Sequence, residues 1–104
     1  MIYISHPYSG KPENKQKVEE IIKNLVISHP ENTYISPIHC FGFMYELVDY
    51  QTGLEMCLRL LESCDKMLVF GDWQSSRGCN AEILHAGFNF IEYEIIGNKE
   101  DDQK

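Results

Sequence analysis

The chain lacks the cysteine spacings that bind zinc. Its four cysteines, Cys40, Cys57, Cys64 and Cys79, form no C-x-x-C pair, and no histidine sits at finger spacing. No metal and no cofactor is therefore expected. Positive charge is also scarce: 9 Lys and Arg stand against 16 Asp and Glu, a formal charge of -7. The cations are scattered and form no basic stripe, which argues against a nucleic-acid polymer as partner. A single phosphate is a different matter, because a helix N-terminus and one or two local cations can hold it. No apolar run approaches the roughly eighteen residues of a membrane span, so no membrane partner is expected. The apolar start ends after four residues at Ser5-His6-Pro7, unlike a signal peptide. Read as reduced thiols, the cysteines suit a cytoplasmic protein. No internal repeat and no linker divides the chain.

What is present is enough for one domain. The 104 residues are 43% apolar, which allows one small core. A homodimer or higher homo-oligomer would help cover apolar surface that so short a chain leaves exposed. Residues 1–96 are expected to form the domain, and 97–104 a charged, flexible tail.

Met1-Ile2-Tyr3-Ile4 reads as a buried first strand that runs into a loop of Ser5, His6, Pro7, Tyr8, Ser9 and Gly10. That loop is either an ordinary turn or one wall of a ligand site. The spacing of Val18, Ile21, Ile22, Leu25 and Val26 predicts a helix over 11–28, with Pro12 in its first turn. Asn14 either caps this helix or reaches back to the loop. A second strand is expected over Thr33–Ile38, followed by His39, which reads as a hydrogen-bonded or surface residue. The aromatic run Phe41–Tyr50 suits a lid over the sheet rim, a dimer surface or core filling. Leu54, Cys57, Leu58 and Leu61 make the apolar stripe of a helix over 51–63. Lys66–Phe70 is the third strand, Cys79–Gly87 a helix with Gly87 as its C-cap, and Phe90–Ile96 the last strand. This order implies a three-layer α/β/α sandwich on a short parallel sheet of four or five strands, flavodoxin- or Rossmann-like. The expected strand order is 2-1-3-4. A site should open at the switch point, between the loops after Ile4 and Phe70.

Gly71 to Glu82 is the stretch that carries chemistry. A strand, a Gly/Ser turn and a helix follow one another, so polar groups gather at a strand's C-terminal end. The first-turn N–H groups of that helix suit an anion. Glu82 lies inside the helix with its side chain leaning back toward the N-terminus. It is a candidate nucleophile or base, or else a carboxylate matched to the helix dipole.

These residues resemble the nucleoside 2-deoxyribosyltransferase-like superfamily. The opening Ile2–Gly10, the segment Leu61–Gly71 and Ser76-x-Gly78-x-x-x-Glu82 match its motifs in order, over about residues 1–94. The likeness is greatest to small phage and bacterial members. It implies that Glu82 attacks C1′ of a deoxyribonucleoside or its 5′-monophosphate, and that water or a second base resolves the glycosyl-enzyme. Ser76 would contact the phosphate. Ser5 to Gly10 would bind sugar or base, with Tyr3, His6 and Tyr8 shaping the sugar pocket and Gly71, Trp73 and Gly78 completing the site. It also implies homo-oligomers.

Two positions depart from the pattern. Cys57 stands where active relatives carry an Asp, and Asn80 replaces a glycine. Another acid, Asp72 or Glu55, would then be needed; Asp65 reads as structural. The expectation is a nucleoside- or nucleotide-recognising domain that cleaves or transfers at the N-glycosidic bond through Glu82. The alternative is a protein that binds or sequesters a nucleotide or ADP-ribose-type signal without turning it over.

Overall fold

Strand β1 (Ile2–Ser5) sets the layers, because successive side chains of a strand point to opposite faces. Tyr3 packs with Leu61, Met67, Val69 and Ala86, while Ile4 packs with Val18, Ile21, Leu68 and Phe70. The computed structural model describes residues 1–98. Among them, four parallel strands lie in the order β2-β1-β3-β4, as the sequence implies. No described helix is long and apolar enough to cross a membrane.

Helix α1 (Pro12–Ser28) begins with proline in its first turn. Its buried face is Val18 and Ile21, flanked by Ile22 and Leu25. Val26, expected on that face, is instead exposed. Asn14 reaches back to the preceding loop, donating from Nδ2 to the Tyr8 carbonyl at 2.9 Å.

Strand β2 (Tyr34–Ile35) is much shorter than the expected Thr33–Ile38. The reason is local. Ser36 caps α2 (Pro37–Phe41), its Oγ accepting from the His39 N–H, and Pro37 opens the helix without a ladder N–H to give. His39 then ties α2 to α1: one ring nitrogen lies 2.9 Å from Ser36 Oγ and the other 2.9 Å from Glu19. A short 3-10 turn, Gly42–Met44, follows.

Helix α3 (Tyr50–Glu62) is capped by Asp49, which accepts from the Thr52 N–H at 2.7 Å. Strand β3 (Lys66–Phe70) is buried on both faces, as a central parallel strand must be. Asp65 precedes it at the N-terminal end of the sheet, where it accepts from the Met1 amine at 2.6 Å. Its structural reading stands, far from the loops at the other end.

A 3-10 turn, Trp73–Ser75, leads into α4 (Arg77–Phe88). This helix starts two residues before the expected Cys79 because Ser76 Oγ caps it, accepting from the Cys79 N–H at 3.1 Å. Gly87 is not the C-cap; the helix runs on to Phe88, and Asn89 caps it. The chain reverses through Phe90, held at φ 56°. Strand β4 (Glu92–Gly97) therefore begins two residues later than expected and ends one later. Its pairing with β3 is irregular between Val69 and Phe70. Gly97 thus belongs to the sheet, and residues 99–104 of the expected tail lie outside the described residues. Helices α1 and α2 cover one face of the sheet, and α3 and α4 the other.

Candidate functional site

The site forms where β1 and β3 end side by side. The loop after Ser5 and the loop after Phe70 touch at Gly71, whose φ is 75°. A Cβ there would fall 2.9 Å from His6 Nε2 and 3.0 Å from Pro7 Cδ. Glycine both permits the left-handed turn and lets the two loops meet. Gly10, at φ 71°, does the same for Tyr45, whose ring would lie 2.9 Å from an added Cβ.

Glu82 is only 6% exposed, although it is a carboxylate. The alternation of β1 explains how it is held. Tyr3 and Ser5 lie two residues apart, on the face that α4 covers, and both hydroxyls donate to Glu82. Ser5 Oγ is 2.8 Å from Oε1; the Tyr3 hydroxyl takes Oε2. Burial pushes the Glu82 carboxyl up to about 7, against the pull of these two hydrogen bonds. The same burial, together with the Glu82 charge, raises Tyr3 well above its ordinary value. Cys57, beside them, is pushed up to about 11, first by burial and then by Glu82. It is a neutral thiol near neutral pH and supplies no carboxylic acid. Burial likewise raises Cys79.

Glu82, Cys57 and Cys79 line a cleft of about 510 Å³ whose walls are Tyr8, Phe41, Met44 and Tyr45. Tyr8 and Tyr45 meet edge to face, with ring centroids 5.3 Å apart. The aromatic run after α2 thus walls the cleft. At the mouth stand Ser76, Gly78 and Arg77, whose guanidinium lies over the Tyr50 ring, 4.7 Å from its centroid. His6 is held below its ordinary pKa, chiefly by burial, with the Lys17 charge adding to the effect. Its Nδ1 lies 2.7 Å from the Pro7 carbonyl. A carbonyl can only accept, so that nitrogen bears the proton and Nε2 keeps a lone pair in the neutral ring.

A second cavity, of about 1050 Å³, runs alongside α1 to the ends of β3 and β4. It shares His6, Ser9, Ser75 and Ser76 with the first.

The structure brings together most of the residues singled out in the sequence. Glu82, His6, Tyr8, Ser9, Ser76 and Gly78 line the smaller cleft. Tyr3 and Ser5 are fully buried behind Glu82 and hold it, so they do not form the cleft wall. Gly71 lines the larger cavity. Gly10 and Trp73 line neither: Gly10 packs against Tyr45, and the Trp73 side chain packs on the core around Met67 and Val69. Neither substitute acid reaches Glu82's cleft. Glu55 is exposed on α3 and accepts from Gln51, and Asp72 lines the larger cavity. Cys79, Arg77 and Tyr50 escaped sequence reasoning. The expected helix opens at Cys79, and only the N-cap Ser76 signals that Arg77 already belongs to it.

A family model described as a domain of unknown function (DUF7768) matches residues 1–96. No curated protein matches the chain. Among solved structures, the chain is similar to a 2-desoxiribosyltransferase from Leishmania mexicana, with a TM-score of 0.67 and 14% identity over 92% of this chain. It spans 63% of that protein's length. At this identity the likeness establishes a shared α/β fold.

Proposed function

This chain belongs to the DUF7768 family, and we propose that it recognises a nucleoside or nucleotide in the Glu82 cleft and breaks the N-glycosidic bond there. The observation that carries the proposal is a buried carboxylate, held by two hydroxyls, at the floor of an aromatic-walled cleft at the sheet's switch point. Tyr8, Phe41 and Tyr45 offer a flat heterocycle faces and edges to pack on. The Ser76 hydroxyl and the Arg77 and Gly78 N–H groups, ahead of the Cys79 N–H that Ser76 Oγ takes, offer donors to a phosphate.

The chemistry is a double displacement. One Glu82 oxygen attacks C1′, the C1′–N bond breaks, and its electron pair leaves with the base, which takes up a proton from solvent water. Water or a second base then attacks C1′, and the ester bond to Glu82 breaks to restore the carboxylate. Tyr3 and Ser5 each occupy one lone pair of a Glu82 oxygen, so each oxygen keeps another for attack. Likeness in fold to a 2-desoxiribosyltransferase supports this reading without fixing base or acceptor.

One observation favours a second reading, binding without turnover. Asp49 is the other carboxylate lining the cleft among the described residues, and it is committed to capping α3. A retaining mechanism ordinarily uses two carboxyl groups. Chromatography of reactions with nucleosides and their 5′-monophosphates separates the readings. Turnover predicts free base from the wild type and none from Glu82→Ala. Ligand binding with no base released by the wild type leaves the binding reading in its place.

A further inference from the structure

The larger cavity is left unused if the ligand ends at a single phosphate. We propose that the cleft and the larger cavity form one two-lobed site for a nucleoside diphosphate whose far phosphate carries a neutral, hydroxyl-rich group such as a sugar. This rests on the reading of the Glu82 cleft as a nucleoside site.

The carrying observation is continuity. Four residues, His6, Ser9, Ser75 and Ser76, line both spaces, so the two lobes meet at one polar joint. The lobes differ in chemistry. The first is aromatic and apolar around Glu82, which suits a base and its ribose. The second is lined by Lys11, Lys17 and Asn14, but also by Glu13, Glu19 and Asp72. Mixed signs of charge disfavour a second anion there and favour a group rich in hydroxyls, which bonds to amines, amides and carboxylates alike.

The joint is where negative charge belongs. Ser76 Oγ accepts from the Cys79 N–H, which leaves its own hydroxyl proton free to donate outward. The Ser9 and Ser75 hydroxyls lie at the same joint, and the Arg77 guanidinium stands at the mouth of the first lobe. The Lys17 charge reaches this region, since it acts on His6. A diphosphate spanning the joint would meet these donors along its length, whereas a monophosphate would leave half of them to water.

Titration calorimetry on the full chain tests this with three matched pairs: ADP-ribose with AMP, UDP-glucose with UMP, and GDP-mannose with GMP. In at least one pair the diphosphate-linked ligand is expected to bind about tenfold tighter or more. Lys11→Glu with Lys17→Glu should weaken that ligand about fivefold to tenfold and the monophosphate, which brings less charge to the joint, only about twofold to threefold. Lys11 caps α1 without a side-chain hydrogen bond and Lys17 is exposed, so the exchange spares the fold. Equal affinity within every pair, or no effect of the double exchange, overturns the two-lobed site while leaving the nucleoside cleft standing. No binding by any of the six ligands overturns both.

Discussion

Burial makes the ionised form of Glu82 costly to the fold. Its carboxyl titrates near 7 in the folded chain and near 4.5 when exposed. Between those values the folded state holds more protons than the unfolded state, so stability falls as pH rises through that window. The full effect is roughly 3 kcal/mol. Glu82→Gln removes this dependence. The variant is expected to melt several degrees above the wild type at pH 8, and to lose that advantage by pH 4. An equal melting temperature at pH 8 would show that no ionised carboxylate is buried there. On the catalytic reading the attacking form is the carboxylate, so kcat/KM for base release is expected to rise with pH through about 7. A flat profile from pH 5 to 8 would remove Glu82 from the attacking role.

Among elements, α4 matters most, because it brings Glu82 under the loops and its own N-terminus to the cleft mouth. Its start depends on Ser76. Ser76→Ala removes the acceptor for the Cys79 N–H and is expected to cost about 1 kcal/mol of stability in urea unfolding. The cap is visible in the sequence, yet the helix expected from the apolar pattern began two residues too late. Arg77 and Gly78 add nothing to that pattern, so periodicity could not include them. The meeting of the loops after β1 and β3 depends in turn on Gly71. Gly71→Ala forces a side chain into a left-handed turn and onto His6 and Pro7. It is expected to destabilise by about 1–3 kcal/mol and to weaken nucleotide binding as well, measured by melting and by calorimetry. Stability lost with unchanged affinity would mean that the loops need not touch to form the site.

At the scale of the whole molecule, a small domain with a large cleft has stability to gain from a ligand. A nucleotide-type ligand at about a hundred times its Kd should stabilise the chain by roughly 2.7 kcal/mol, a rise of about ten degrees or more in Tm. Differential scanning fluorimetry over a nucleotide panel reads this directly. No shift with any member would defeat both the catalytic and the binding readings of the cleft.

The layer order was legible from the chain because it rests on local signals. Apolar runs of four or five residues made strands, 3.6-residue stripes made helices, and β-α alternation made the sheet parallel in the order 2-1-3-4. Glu82 was legible too, since a carboxylate shortly inside a helix after a strand and a Gly/Ser turn must lie near the sheet's C-terminal rim. What the sequence left open is what surrounds that carboxylate. Tyr3 and Ser5 lie 79 and 77 residues away from it, and no local pattern states that their side of β1 faces α4. The long-range packing decides that. It turned Tyr3 and Ser5 from cleft wall into the support of Glu82, set Trp73 against the core, and kept Glu55 and Asp72 out of the cleft. Residue types and spacing put Glu82 on the right helix; its low exposure and its two hydroxyl partners, which together set its proton affinity, exist only once the sheet and α4 close on each other.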